Sequence, residues 1–309
     1  MRAMRPAMEW LIAGLAAILL AGAPALAQSS EMVLTERLIE RPDGGVSHVS
    51  VHGDLDTASG AVSLVPSLGR GVEDFTAKFG STLTDELVAR GYAVVLIQPR
   101  GIGKSTGSLD PERVTMATLA ADLKAVLDTL EIEEVALIGH AFGNRLSRFY
   151  TAQYPDRVSG LALLAAGGDF ELSPQQLKCL FGSLNLANPE EQRREDIRCA
   201  FFAAGNDPDI WMNGWYPALA RAQVAAARAV ASDEFKRAGS LPFLLVQPEE
   251  DFIAPPDLAG RALLEELGEQ VTYVEIAGSG HALLPEKPDE LAQVVGDYLD
   301  HVMQPSDPD

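Results

Sequence analysis

Short apolar runs alternate with amphipathic stretches along most of the chain, and the two patterns predict different elements. Residues 92–97, 135–138 and 158–164 are almost continuously apolar, which is typical of strands buried on both faces. Between the first two runs, Thr115 can cap a helix whose apolar face consists of Leu119, Leu123, Val126, Leu127 and Leu130. Because such strands and helices alternate with short connections, we predict an α/β fold with a mostly parallel sheet covered by helices on both faces.

The pattern departs from this alternation in two regions. Residues 31–65 are predicted to form three strands, the first two joined by a hairpin turn at 41–45. Residues 170–238 contain no convincing strand and are rich in Ala, Arg and Glu. We therefore expect a helical insertion that forms a lid over one end of the sheet, after which strands return at 241–247 and 271–276.

These boundaries divide the chain into four parts. Residues 1–27 are predicted to be a signal peptide, and residues 170–238 the helical lid. Residues 28–169 and 239–309 would be the N-terminal and C-terminal parts of one core, which a chain of this length can readily supply.

The predicted signal peptide has three recognisable features. Arg2 and Arg5 give it a positive start, and the apolar run at 10–23 is short for a membrane span. The small-x-small pattern that ends at Ala27 predicts cleavage after that residue. We expect an exported protein, periplasmic or secreted, with no stable membrane association after cleavage; an uncleaved membrane anchor is the alternative.

The chain has two cysteines, Cys179 and Cys199, and both lie in the predicted lid. Export would place them in an oxidising compartment, where they could form a disulfide; two buried free thiols are the alternative. No histidine lies near either cysteine in the sequence, so we expect no zinc site. No metal-ligand cluster or dinucleotide fingerprint is evident either, and we expect no cofactor.

Charge restricts the partners further. The chain has 44 acidic and 24 basic side chains, which gives a formal net charge of −20. A surface of this sign repels phosphate backbones, so we do not expect nucleic acid as a partner. A small-molecule substrate or ligand is the partner that we expect, and the sequence leaves the oligomeric state open.

One junction between a strand and a helix carries the main candidate chemistry. Residues 139–143, Gly-His-Ala-Phe-Gly, follow an apolar strand and precede a helical pattern. Glycines at both ends of this spacing allow strand and helix to approach each other around a sharp turn. The N–H of Phe142 would then lie at a helix N-terminus, where unpaired backbone donors favour negative charge.

An acid and a histidine follow two later strands. Asp251 comes just after the strand at 241–247, and His281 just after the strand at 271–276. The carboxyl ends of parallel strands meet at one edge of a sheet, so we expect both side chains near Ala141. The chain order of turn, acid and histidine is that of an α/β-hydrolase.

The sequence resembles the α/β-hydrolase fold superfamily across about residues 31–303. "QPRGIGKS" at 98–105 resembles the superfamily's strand-end Arg-Gly-x-Gly-x-Ser loop. "YPDRVSGLALL" at 154–164 resembles the exit of its elbow helix and the following strand, and "GHALLPEKPDEL" at 280–291 resembles its catalytic-histidine segment. The resemblance implies the α/β-hydrolase fold with a helical lid.

The resemblance also implies roles for individual positions. Asp251 would orient His281, which would act as a base. The backbone N–H groups of Phe142 and Leu68 would form an oxyanion hole, although residues 66–71 depart from the superfamily's frequent His-Gly pattern. Lids of this superfamily often shape the substrate cavity, so the lid aromatics either line an apolar pocket or pack within the lid; they are Trp211, Trp215 and Tyr216.

The main departure from the superfamily is Ala141, which occupies the position of the serine nucleophile. Three hypotheses follow. In the first, His281 acts as general base on water or directly on substrate, in hydrolysis of an activated ester or lactone or in a lyase-type proton transfer. In the second, the protein binds a small apolar ligand and performs no chemistry. In the third, the protein is a serine esterase or lactonase whose nucleophile was replaced on purpose.

Overall fold

The computed structural model describes residues 34–76 and 81–303. The predicted signal peptide lies outside these residues. Within them, eight strands form a single sheet in the order β1-β2-β4-β3-β5-β6-β7-β8. The strands are β1 (Leu34–Glu40), β2 (Val46–His52), β3 (Ala61–Val65), β4 (Ala93–Ile97), β5 (Val135–His140), β6 (Val158–Leu164), β7 (Phe243–Pro248) and β8 (Val271–Ile276).

The sheet is mostly parallel, which confirms the predicted fold class. β2 pairs antiparallel with both β1 and β4, and the other neighbouring strands pair in parallel. β3, β5 and β7 are buried along their whole length, which agrees with their mostly apolar sequences. β1 forms an edge and exposes charged side chains there, including Glu36 and Arg37, which disfavour pairing with another chain.

Helices cover both faces of the sheet. They are α1 (Glu73–Thr76), α2 (Ser81–Ala89), α3 (Met116–Thr129), α4 (Phe142–Gln153), α5 (Pro174–Leu184), α6 (Glu190–Phe201), α7 (Pro217–Arg228), α8 (Gly260–Leu267), α9 (Leu283–Glu286) and α10 (Pro288–Met303). None of the helices in the described part of the chain combines the length and the apolar character needed to cross a membrane.

Alternate residues of the central strand β5 belong to different apolar clusters. Leu137 packs in the cluster that contains side chains of α3, α4 and α8. Ile138 packs in the cluster that contains side chains of α2 and α10. Successive strand residues point to opposite faces, so one short apolar run supplies both layers of the core.

The segment at 170–238, called the cap segment below, contains α5, α6 and α7 but no strand. The predicted helical content of this segment is therefore confirmed. Ser173 caps α5, because its side chain accepts a hydrogen bond from Gln176 N–H while the Gln176 side chain accepts from Ser173 N–H. A disulfide joins Cys179 of α5 to Cys199 of α6, as the sequence predicted.

Candidate functional site

The turn between β5 and α4 holds Ala141 in an unusual conformation, with φ 50° and ψ −108°. A positive φ is uncommon for a residue with a side chain and marks a tight, strained turn. The two flanking glycines make this turn possible. A Cβ atom at Gly139 would collide with the carbonyl oxygen of Gly143, and one at Gly143 would collide with that of Val65.

Asp251 and His281 form a buried pair in the loops that follow β7 and β8. Nδ1–H of His281 donates to Asp251 Oδ2 at 2.8 Å and lies 3.0 Å from Oδ1. Their exposed fractions are 5% for His281 and 3% for Asp251. A carboxylate can only accept, so Nδ1 carries a proton, and in the neutral form of the imidazole Nε2 keeps its lone pair.

The carboxylate of Asp251 is itself held in place. Its Oδ1 accepts a hydrogen bond of 2.7 Å from the backbone N–H of Ala254. The residue that orients His281 is therefore fixed by its own loop, which restricts the imidazole to one tautomer and one orientation.

His140, beside the turn, holds the backbone of the loop that carries His281. Its Nε2–H donates to the carbonyl oxygen of His281 at 2.8 Å, and the two rings lie 5.4 Å apart. Burial, and secondarily the neighbouring His281, lowers the pKa of His140 to about 3. His140 is therefore neutral near pH 7 and serves to position the backbone of His281.

Five of the predicted site residues line one cavity of about 580 Å³, and Trp215 of the cap segment is one of them. Ala141, Phe142, Leu68 and His281 all contribute to its wall. The backbone N–H groups of Phe142 and Leu68 have no acceptor among the described residues. The structure thus brings together the turn, the histidine and two unpaired donors, a combination that can stabilise a developing oxyanion.

The remaining wall of the cavity is mostly apolar and comes largely from the cap segment. Its apolar cap residues are Phe170, Leu172, Leu177, Leu180, Phe181, Phe201, Trp215, Val224 and Ala227. A cavity of this volume and lining is typical of a site for a small organic molecule.

The three aromatic residues of the cap segment, expected either to line a pocket or to pack within the lid, differ in their position relative to the cavity. Trp215 lines the cavity. Trp211 does not line it and is completely buried, and the hydroxyl of Tyr216 donates to Glu73 Oε1 at 2.6 Å instead. The segment leaves its 3₁₀ turn at Trp211 and enters α7 only at Pro217, so these residues do not share a helical face.

Arg70, in the loop that carries Leu68, is a structural residue that sequence reasoning missed. Its guanidinium carbon lies 4.6 Å from the ring centroids of both Trp211 and Trp215. Its Nε donates to Asp74 Oδ2 at 2.9 Å, and its Nη1 donates to the carbonyl oxygen of Asn213 at 2.7 Å. The spacing of four residues between Arg70 and Asp74 was the available indication of this ion pair.

The same loop is hydrogen-bonded to the cap segment through its backbone. The N–H of Gly69 donates to Gln223 Oε1 at 2.7 Å, and the N–H of Tyr216 donates to the carbonyl oxygen of Gly69 at 2.8 Å. The position of Leu68 N–H therefore depends on the cap as well as on the sheet.

Arg145 is a second residue that sequence reasoning missed. It lies in the first turn of α4, four residues after Ala141, and its side chain lines the cavity. Burial lowers the pKa of its guanidinium, and Asp169 partly opposes this effect. No indication in the sequence distinguished Arg145 from the other arginines of the chain.

Comparison with known proteins identifies relatives by sequence. The chain is 33% identical over 110 residues to abhydrolase domain-containing protein lid-1 of Caenorhabditis elegans, a match covering 35% of this chain and 29% of that protein. It is 29% identical over 133 residues to the 2-hydroxy-6-oxononadienedioate/2-hydroxy-6-oxononatrienedioate hydrolase of Escherichia coli, covering 43% of this chain and 45% of the relative. The chain thus spans less than half the length of either relative.

Comparison of structures and of family models covers more of the chain. A bromoperoxidase from Bacillus anthracis superposes with a TM-score of 0.69 at 19% identity, covering 86% of this chain and all of the other, so the likeness concerns the fold. A family model described as the α/β-hydrolase fold matches residues 61–288. Since this match covers well over half of the sequence, the chain belongs to the α/β-hydrolase fold family.

Proposed function

We propose that this protein is an exported hydrolase-type enzyme that acts on a small or medium organic molecule without an acyl-enzyme intermediate. His281, oriented by Asp251, serves as the general base, and the N–H groups of Phe142 and Leu68 bind the oxyanion. The observation that carries the proposal is the buried, doubly hydrogen-bonded His281–Asp251 pair at the same cavity as the strained turn at Ala141.

The reaction proceeds in two steps on an activated ester or lactone. Nε2 of His281 takes a proton from a water molecule while the water oxygen bonds to the carbonyl carbon, and the carbonyl electron pair moves onto oxygen. Each donor at the resulting oxyanion contributes roughly 3 kcal/mol to transition-state stabilisation. Collapse breaks the bond to the alcohol oxygen, which takes the proton back from His281, and no covalent bond to the enzyme forms.

Ala141 is the residue at which the proposed mechanism differs from that of a serine hydrolase. A methyl group at the turn supplies no oxygen that could attack the carbonyl. It leaves room on the cavity side for the water that His281 activates, since Ala141 and His281 line the same cavity. The retained positive φ keeps Phe142 at the helix start, where its N–H can reach the oxyanion.

The test is turnover of 4-nitrophenyl esters and γ- and δ-lactones by the mature chain. His281→Ala is expected to reduce kcat about 100-fold or more, because general-base catalysis contributes about that much. His301→Ala, an exposed histidine on α10, is the matched control and should keep wild-type kcat. Undiminished turnover in His281→Ala would exclude the proposed base.

A covalent probe separates this mechanism from the two alternatives. The wild type should hydrolyse esters without labelling by a fluorophosphonate, whereas Ala141→Ser should be labelled at residue 141. If only Ala141→Ser turns over any substrate, the wild type is a ligand-binding protein or a serine esterase that lacks its nucleophile. Mass spectrometry of the intact protein reads out the label.

Export is part of the same proposal. The Cys179–Cys199 disulfide supports it, since such bonds persist mainly in oxidising compartments. The full chain expressed in a bacterium should yield a periplasmic or secreted protein that begins at Gln28. N-terminal sequencing of the fractionated protein tests this, and an intact Met1 in the membrane fraction would contradict it.

A further inference from the structure

The cavity wall contains one cationic side chain close to the turn. Arg145 lies one helical turn beyond Ala141, and both residues line the same cavity. One turn of an α-helix is about 5.4 Å along the axis. A ligand of a few bonds' length can therefore place one group at the turn and another at the guanidinium.

Arg145 has no hydrogen bond or ion pair with any other described residue. The acid whose charge acts on it is Asp169, but that carboxylate is already engaged. It accepts a hydrogen bond of 2.8 Å from Ser232 Oγ and lies 3.8 Å from Lys236 Nζ. A partly buried guanidinium with five free donors is costly unless an acceptor reaches it.

The residue one turn further along α4 adds to this positive charge. Arg148 is 2% exposed and makes a hydrogen bond of 2.9 Å to the neutral amide oxygen of Asn144, with no carboxylate partner among the described residues. Burial, and then the charge of Arg145, lowers the pKa of Arg148 to about 9. The start of α4 thus carries uncompensated positive charge, to which the helix dipole contributes the same sign.

The cavity contrasts with the protein as a whole. The chain carries a formal net charge of −20, whereas the charged residues that line the cavity are Arg145, Arg228 and Glu171. Glu171 and Arg228 are both exposed. The partly buried charge of the wall is therefore that of Arg145, which favours an anion inside a protein whose surface repels anions.

We propose that Arg145 binds the carboxylate of the substrate, so that the substrate is a small organic acid with a hydrolysable carbonyl a few bonds away from its carboxylate. The planar guanidinium can hold a carboxylate by two parallel hydrogen bonds, and the apolar cap residues surround the carbon chain between the two groups. The position of the hydrolysable carbonyl rests on the proposed function, whereas the binding of the carboxylate does not.

Binding is tested first, independently of any reaction. Octanoate and octanamide have the same chain and differ in charge, and their affinities for the wild type can be measured by calorimetry. Octanoate should bind about tenfold or more tightly, because hydrogen bonds to charged groups are the stronger ones. Arg145→Gln should abolish this preference. Arg145→Lys should keep part of it, because lysine keeps the charge but cannot form the two parallel hydrogen bonds.

Arg221→Gln is the matched control, since Arg221 is an exposed arginine of α7 that does not line the cavity. This variant should bind both ligands as the wild type does. Equal affinity of the wild type for the acid and the amide would overturn the inference, as would a preference that survives in Arg145→Gln. Arg145→Lys provides a readout if the glutamine variant does not fold.

Turnover is the second arm. The ratio of kcat/KM for mono-4-nitrophenyl glutarate to that for its methyl ester should fall about tenfold or more in Arg145→Gln, mainly through KM. An unchanged ratio would overturn the inference. If neither ester is hydrolysed while Arg145-dependent octanoate binding is observed, the proposed function fails and the carboxylate site stands.

Discussion

Two arginines near the cavity have opposite environments. Arg70 is 2% exposed and is surrounded by partners: Asp74, the carbonyl of Asn213 and the faces of two tryptophans. Arg145 lines the cavity and has no such partner among the described residues. The same side chain is thus enclosed by protein partners in one place and faces an open cavity in the other.

The difference shows how to separate structural polar groups from functional ones. A charge buried for the fold must be satisfied within the protein, because the cost of its desolvation is large. A charge that awaits a ligand is left unsatisfied, and the rest of the fold has to tolerate it. Substitutions at the two sites should therefore change stability in opposite directions.

Removing the partner of Arg70 should have the largest effect. Asp74→Ala leaves a buried guanidinium without its counter-charge and should lower the free energy of unfolding by about 3–5 kcal/mol. Urea denaturation measures this change. Asp233→Ala, at an exposed aspartate of the cap segment, should shift stability by only about 0.5 kcal/mol, and a similar small shift in Asp74→Ala would remove the contrast between the two arginines.

His140 extends the comparison to a buried group that the fold keeps neutral. Its contribution to the free energy of unfolding depends on pH. Its pKa of about 3 in the folded protein lies below the ordinary value of 6.5, so the unfolded chain binds the additional proton between these values. The stability that this difference contributes is fully present above pH 6.5 and is lost as the pH falls towards 3.

From pH 7 to pH 5 this histidine should cost the wild type about 2 kcal/mol of unfolding free energy. His140→Gln can still donate to the carbonyl of His281 but does not titrate. Between the same two pH values, the unfolding free energy of this variant should therefore fall by about 2 kcal/mol less than that of the wild type. Denaturation of both proteins at the two pH values gives the difference. Parallel pH profiles would mean that His140 is charged or solvated in the native state.

The smallest expected change in stability is at Arg145. Arg145→Met keeps the length of the side chain and removes the unpaired charge, so the free energy of unfolding should stay constant or rise by up to about 1 kcal/mol. Thermal denaturation without ligand measures this change in stability. A loss comparable to that of Asp74→Ala would show that Arg145 supports the fold and would weaken its assignment to a ligand.

The sequence predicted those features that depend on neighbouring residues. Apolar runs such as β5 identified the buried strands, and the chain order of Ala141, Asp251 and His281 identified the family. Pairings between distant segments were out of reach. Nothing local indicated that Gly69 would form a hydrogen bond with Gln223. Nor did anything local indicate that Trp211 and Trp215 would both pack on Arg70 while Trp215 also lined the cavity.

The absence of a partner is harder still to predict than its presence. Arg145 and Arg148 have the helical spacing of many surface arginines, and only the packed structure shows which acids reach them. The acidic composition of the chain even favours the opposite expectation, that every arginine finds a carboxylate.

The two hydrogen bonds at Gly69 have a mechanical consequence. They fasten the peptide group next to Leu68 to Gln223 and Tyr216, so a displacement of α7 away from the sheet would pull this loop with it. Admission of a ligand and alignment of the proposed oxyanion donor would then be a single gating event. The exchange rate of the Gly69 amide proton would report how often that gate opens.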